Sequence, residues 1–428
     1  MVVWLAVAST AAVADPLPAR LDLAQAIALF RVAGFDLLIA EADIESARGD
    51  EVIARALPNP KLSLTYGRSF HTSCAHPPCS AVPPAYGATI NDQAAIESTL
   101  SGKRRLRLAV ARAALSAARW ERVDVERALV LEVKSGFVQV LIGQRTLELA
   151  RETAWAYGVL LAKTERQATA GKIGEADVLR VRVAKLQADQ SVDTAVQALR
   201  KARAQLAFLL GVRTAVPAYV AVEPRLEHYE LPPRLAATTH DALLELAFAK
   251  RPDLRALEAQ LASAEAQVRV ARRERFPDVE VTVGYSQQGT NELAVTPPTF
   301  AFGLSAPIPL FYQQQGEIKK AEANARSLRV QVAKRRAVIV DDFETAYADF
   351  VAAQALVRRM EDGGLLAAAA AAKDAVIKAK DAGAATLLDV LVALATFNAT
   401  RVEYETDVAA YWTAVFELEA ATGTELLR

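Results

Sequence analysis

Apolar residues recur along this chain at two alternating periods. Leu23, Ile27 and Phe30, then Leu37, Leu38, Ala42 and Ile44, keep helical spacing and predict a helix over 22–56 with a break near Gly34. It stops at Leu57-Pro58-Asn59-Pro60, because proline excludes the helical conformation from the residue before it. The period then drops to two: Leu62, Leu64 and Tyr66 alternate with Lys61, Ser63 and Thr65, a strand. Residues 70–92, rich in Pro, Ser, Cys and His, read as a loop, and a weaker strand is expected over 93–100, with Ile96, Ser98 and Leu100 on one face. From Gly102 to Gly171 no proline interrupts a helical stretch of about 67 residues, or about 100 Å. So long a helix points to a coiled coil. Val133, Val140, Leu147, Ala154 and Leu161 recur every seventh residue as a seam requires, but the companion line runs Phe137, Gln144, Arg151, Gly158. A return helix over 175–210 ends at Gly211.

The pattern then repeats. Residues 212–238, with Pro217, Pro224, Pro232 and Pro233, form a connector. A helix over 240–275 ends at Phe276-Pro277-Asp278. Val279, Val281, Val283 and Tyr285 predict a third strand, and Phe300, Phe302, Leu304 and Ala306 a fourth. A second long helix is expected over 315–381 and its return from 386 to Gly423. Ala170-Gly171 followed by Asp177-Val178-Leu179 is echoed 212 residues later by Ala382-Gly383 followed by Asp389-Val390-Leu391. Glycine ends one helix and an acidic residue opens the next, the chemistry of a helical reversal. The chain therefore reads as an internal two-fold repeat of 15–211 and 239–428 about the connector 212–238, mainly α with a small β part, built on long antiparallel helical hairpins.

Four strands of about ten residues, alternately apolar and polar, have the length and pattern of tilted membrane-spanning strands. Four cannot close a barrel, and lipid does not tolerate an open edge. Two copies would supply eight strands and three copies twelve. The competing reading is a non-pore periplasmic coiled-coil scaffold or adaptor protein carrying two edge hairpins.

Composition narrows the class. Fifty basic and fifty acidic residues balance to zero net charge, which argues against a nucleic-acid partner. The apolar start Val2 to Ala8, followed by Ala12-Val13-Ala14, reads as a signal peptide over 1–14. Both cysteines lie in His71-Thr72-Ser73-Cys74-Ala75-His76-Pro77-Pro78-Cys79. In an oxidising compartment Cys74 and Cys79 fit a disulfide. A metal site of His71, Cys74, His76 and Cys79 is the alternative, and a disulfide would remove its thiolates. His228 and His240 lie in or beside the connector and read as surface residues. No phosphate-loop, dinucleotide or zinc-protease fingerprint is present; no enzyme and no cofactor is expected.

Pro58-Asn59-Pro60-Lys61-Leu62-Ser63-Leu64 resembles the helix-to-strand entry of the outer-membrane efflux factors, the TolC-like exit ducts. Gly102-Lys103-Arg104-Arg105 is similar to the long-helix entry of the CzcC- and CusC-like heavy-metal branch. Thr386-Leu387-Leu388-Asp389-Val390-Leu391 resembles the tip of the second hairpin. The resemblance implies a homotrimeric conduit: a transmembrane β-barrel in outer-membrane lipid continued by an α-barrel across the periplasm. It further implies a periplasmic adaptor (membrane fusion protein) docking at the tips and an inner-membrane pump of the RND type. By the same resemblance Asp389 lines the periplasmic aperture, Asp177 helps hold the closed state, and Gly171, Ile173, Gly383 and Leu387 contact the adaptor. The chain departs from the pattern at Ala385, where relatives carry a tip arginine, and at Val392, where they carry a second aspartate.

Overall fold

The computed structural model describes residues 17–68, 72–73, 80–81, 83–92, 101–289 and 296–427. The chain forms two compact units. One comprises the described parts of Met1–Glu41, Glu121–Pro252 and Arg335–Arg428; the other comprises Ala42–Trp120 and Asp253–Lys334.

In chain order the elements are β1 (Arg20–Leu21), α1 (Leu23–Ala33), α2 (Phe35–Arg55), β2 (Lys61–Gly67), β3 (Thr72–Ser73), β4 (Ser80–Ala81), β5 (Ala85–Asp92), α3 (Lys103–Thr169), α4 (Glu175–Leu209), β6 (Val220–Ala221), α5 (Pro233–Ala237), α6 (His240–Lys250), α7 (Pro252–Arg273), β7 (Glu280–Gln288), β8 (Thr296–Ser305), α8 (Gln315–Asp362), α9 (Leu365–Asp381) and α10 (Leu387–Thr422).

In the second unit, β2, β5, β7 and β8 form one antiparallel sheet in that order. The partner of β2 corrects the sequence expectation: it is Ala85–Asp92, inside the stretch predicted to be a loop, while 93–100 lies outside the described residues. Tyr86, Ala88 and Ile90 do alternate, but Gly87 and the small residues around it weaken the apolar signal. The start of α3 is tied to the later helix–strand joint: Lys103 Nζ donates to Asp278 Oδ1 at 2.6 Å and to Phe276 O at 2.7 Å, and Arg273 Nε donates to Ser101 O.

The first unit holds the main core. α1 opens on a capping box between Asp22 and Gln25 and buries Leu23, Ala26, Phe30 and Ala33. A β-carbon at Gly211, which has φ +79°, would sit 2.2 Å from Ala33 O, so only glycine lets the end of α4 approach α1. The expected seam on α3 is buried at Val133, Val140, Leu147 and Ala154 and half-buried at Leu161, and Phe137 of the companion line is buried with it. The polar gap in it has a use: Gln144 Oε1 accepts from the Ala221 N–H and its Nε2 donates to Ala221 O, both at 2.9 Å, docking the connector. On α8, Ile339, Phe343, Ala346, Phe350, Ala353, Val357 and Met360 step by four and three residues and are all buried, a full heptad seam.

The second long helix is not continuous. Gly363 and Gly364 divide it into α8 and α9, with Gly364 in the left-handed region and a β-carbon at Gly363 meeting Arg359 O at 2.4 Å. The connector is held rather than slack: Tyr219 Oη donates to Arg203 O, Tyr411 Oη to Glu230 O and Trp412 Nε1 to His228 O, while β1 pairs in parallel with β6.

Candidate functional site

Two features carry the functional argument, one in each unit. The first is the division of the sheet into two chemically distinct faces. Reading straight across the register, Leu62, Ile90, Val283 and Phe302 form one row and Leu64, Ala88, Tyr285 and Phe300 the next. Tyr66 stands over Tyr86 with ring centroids 5.5 Å apart, and Tyr285 over Phe300 at 5.3 Å. The rows between them are Ser63, Thr89, Gly284, Ala301 and Thr65, Gly87, Ser286, Thr299. Across these rows one face is apolar and the other small and neutral; charged residues stand only toward one end, Lys61 and Glu280 on the second face and Asp92 on the first. The apolar face is bare, Leu64 being 75% and Phe302 79% exposed. An apolar surface of this extent needs a non-aqueous neighbour. The edge strands β2 and β8 each have one side without a partner among the described residues.

The second feature is the pair of helical reversals. At the end of α3 the Lys172 N–H donates to Gln167 O and the Gly171 N–H to Ala168 O, both at 2.9 Å, with Gly171 at φ +66°. At the end of α9 the same two bonds join Ala384 to Ala379 at 2.8 Å and Gly383 to Lys380 at 3.0 Å, with Gly383 at φ +80°. Both are glycine-closed helix ends that satisfy the orphan carbonyls. Ile173 is half-buried in the first turn.

Asp177 and Asp389 follow at matching places but have different partners. Asp177 is half-buried and pairs with Arg180 at 2.9 Å. Asp389 is exposed and closes a capping box: the Thr386 N–H and hydroxyl both donate to its Oδ2 at 2.7 Å, and its own N–H donates to Thr386 Oγ1 at 3.2 Å. The Thr386 hydroxyl, and then the Thr386 N–H, hold the Asp389 carboxyl below the usual carboxylate range. Leu387, expected at the contact surface, is instead buried: helical spacing puts it with Val390 on the inward face, and Leu388 is the exposed neighbour. Val392 is exposed as well.

Long-range pairs that no sequence pattern announced join the first hairpin to the second. Lys163 Nζ meets Asp381 Oδ1 and Arg401 Nη1 meets Glu152 Oε2, both at 2.7 Å. A second missed group is the buried pair of Lys134 and Glu419 at 2.5 Å. His240 is not a free surface residue. Its ring lies 3.1 Å from Asp241 and 3.2 Å from Glu344 and packs edge-on to Tyr347, and the two carboxylates raise its pKa. His71, Cys74, His76 and Cys79 lie outside the described residues; no metal-holding cluster occurs among the described ones. No described helix is by itself long and apolar enough to cross a membrane.

A two-faced, exposed antiparallel sheet combined in one chain with long, glycine-closed helical hairpins defines a mainly helical protein with a small β part. The chain belongs to the outer membrane efflux protein family, whose sequence model matches residues 28–212 and 243–424. It is 26% identical over 389 residues to the cobalt-zinc-cadmium resistance protein CzcC of Cupriavidus metallidurans, spanning 90% of this chain and 85% of that one. It is also 26% identical over 325 residues to the pyoverdine export outer membrane protein OpmQ of Pseudomonas aeruginosa, spanning 73% and 65% of the two chains. Its fold superposes on CusC with a TM-score of 0.77 at 20% identity, covering 94% of this chain and 92% of that one. It superposes on the Neisseria gonorrhoeae MtrE channel with a TM-score of 0.75 at 18% identity, covering 94% and 89%. The protein is an outer-membrane channel of an efflux system.

Proposed function

We propose that three copies assemble into a passive exit duct, each giving four strands to a twelve-stranded barrel and two hairpins to a helical tube. The observation that carries this reading is the sheet: an apolar face that suits lipid, and two edges that need partners. The neighbour's β2 is the natural partner for β8. The two halves, 15–211 and 239–428, act as repeats about the connector, and no reaction is catalysed.

A periplasmic adaptor docks at the tips, contacting Gly171, Ile173, Gly383 and the exposed Leu388, and an inner-membrane pump drives the cargo. Apart from Lys61 and Glu280 at one end, the polar face of the sheet is built of Ser, Thr, Asn, Gly and Ala and offers little charge pattern to select a cargo, so selection rests with pump and adaptor. Relatives named for metal resistance and for pyoverdine export accord with one conduit design serving different cargoes. Asp389 forms a ring of three carboxylates at the aperture, and Asp177 with Arg180 steadies the first tip.

Purified protein in bilayers tests this. Single-channel conductance from a cross-linkable trimer with heat-modifiable migration is the expected result. A stable single-copy particle without conductance would refute it.

A further inference from the structure

One end of the sheet is where the helices join it: β2 and β7 begin there at Lys61 and Glu280, and β5 and β8 finish there at Asp92 and Ser305. The apolar surface continues past that edge. Ile308, Leu310 and Phe311, between β8 and α8, are exposed, Phe311 at 98%. Phe276, just before β7, is exposed too. Aromatic side chains at the margin of lipid-facing strands mark the membrane–water boundary.

The same edge carries an excess of cations. The run Lys103-Arg104-Arg105 that opens α3 divides its side chains. Lys103 is buried and held by Asp278. Arg104 Nε donates to Arg55 O at 2.7 Å, which brings it beside Arg55. The guanidinium of Arg105 is exposed and has no partner among the described residues. Arg275 is exposed and donates only to the neutral Gln313 Oε1, at 3.3 Å, two residues along the chain from Phe311. Arg273 lies 4.8 Å over the ring of Phe276. The carboxylates of this edge are mostly engaged. Glu317 takes the Tyr312 hydroxyl at 2.6 Å, Asp92 has a partner, and Glu280 stands on the polar face with Lys61; Glu274 is exposed and open. The edge therefore sets unpaired guanidinium groups beside bare apolar side chains.

We propose that this edge is a binding site for anionic phospholipid, with Ile308, Leu310 and Phe311 among the acyl chains and Arg105 and Arg275 on the head-group phosphate. The inference rests on reading the apolar face of the sheet as lipid-facing, and it adds the lipid class and the residues that hold it. Two observations select this occupant. The exposed apolar segment is continuous with the apolar face of β8, so one medium covers both. The arginines supply the charge-assisted bonds that a phosphodiester accepts and that the protein itself leaves unmade. Because this end of the sheet runs into the helices, the lipid bound is that of the periplasmic leaflet.

The test places a fluorescent reporter at the site by Phe311→Trp in the full-length protein, reconstituted in phosphatidylcholine vesicles. A minority of the lipid is brominated, either phosphatidylglycerol or phosphatidylcholine at the same mole fraction. Bromine quenches only a tryptophan it touches. The native tryptophans give a background that is read on the protein without the substitution and subtracted. Leu310→Trp serves as a second reporter if Phe311→Trp does not assemble. The expected result is quenching by both lipids with a preference for phosphatidylglycerol on the order of twentyfold, each arginine contributing about fivefold. Arg105→Gln and Arg275→Gln should each lower the preference about fivefold. Lys201→Gln, at an exposed lysine of α4, should leave it unchanged. A reporter that neither lipid quenches, equal quenching by the two, or a preference indifferent to both arginine substitutions would each overturn the proposal. Bilayer conductance of the same preparation separates the two readings. Channels without the preference remove the lipid site and keep the duct, whereas the preference without channels keeps the lipid site and removes the duct.

Discussion

Thr386 and Asp389 bond each other reciprocally at the start of α10, the threonine hydroxyl both accepting from the Asp389 N–H and donating to its carboxylate. The aspartate that the family resemblance places at the aperture is thus also the side chain that begins its helix. The two roles separate by mutation. Thr386→Val removes the cap but keeps the charge. Asp389→Asn keeps a hydrogen-bonding amide but loses the charge. If Asp389 lines the pore, Asp389→Asn weakens cation selectivity and block by multivalent cations, whereas Thr386→Val leaves selectivity in place and speeds amide exchange in the first turn of α10. Bilayer recordings and hydrogen exchange on both variants decide it; unchanged currents in Asp389→Asn would remove the ring.

Glu419 is 6% exposed and Lys134 7%. Glu419 Oε2 accepts from Lys134 Nζ, and its Oε1 accepts from the N–H groups of Leu426 at 2.5 Å and Leu427 at 3.0 Å, folding the chain after α10 back onto α3. Glu419→Ala leaves a buried ammonium and two orphaned amides, and the expected loss is about 3–5 kcal/mol. Lys134→Met with Glu419→Met, which removes both charges, should cost much less. Denaturant unfolding of the three variants measures both; a Glu419→Ala loss below that of the double variant would contradict the account.

How much of this was legible follows from what each feature depends on. The helical spacing of α3, the alternation in β2, β7 and β8 and the glycine-closed tips are local patterns, and they fall where the sequence places them. β5 leaves no clear period of two in the sequence because Gly87 and its small neighbours dilute it. The break at Gly363-Gly364 was missed because the alanine-rich helix resumes at once; two adjacent glycines, each costing about 1 kcal/mol in a helix, were the available signal. Lys163 with Asp381 and Arg401 with Glu152 are joined only by the fold, across more than two hundred residues of chain. Leu387 and Leu388 are adjacent and equally apolar; only the packing of α10 tells which turns inward.

The two faces of the sheet predict opposite tolerances. Phe302 stands in the apolar row with Val283, Ile90 and Leu62, whereas Thr282 stands between Asn91 and Gly303 on the other face. Phe302→Arg puts a charge against lipid, at about 2–4 kcal/mol near the bilayer midplane. The yield of heat-modifiable protein in the outer-membrane fraction should fall sharply. Thr282→Lys should assemble normally. Equal yields from the two variants would mean the faces are assigned the wrong way round.

His240 gives the fold a pH dependence whose sign can be worked out. The groups facing it are Asp241 beside it on α6, Glu344 on α8, and the rings of Phe343 and Tyr347. Hydrogen bonds to Asp241 first and Glu344 second favour the imidazolium and raise its pKa above the ordinary value. A raised folded-state pKa means that the stabilisation is fully present below the unfolded pKa of about 6.5 and is lost as pH rises through the higher folded value. Wild type should therefore exceed His240→Gln in thermal stability at pH 5.5 to about 6, and the gap should narrow above neutrality. Glu344→Gln should shrink the gap at low pH, because it removes one of the two carboxylates that hold the charge between α6 and α8. Melting curves across that range, read as the difference between wild type and His240→Gln, check the direction; a gap that widens as pH rises would show that the imidazole is neutral in the fold and that Asp241 and Glu344 do not hold it as a cation.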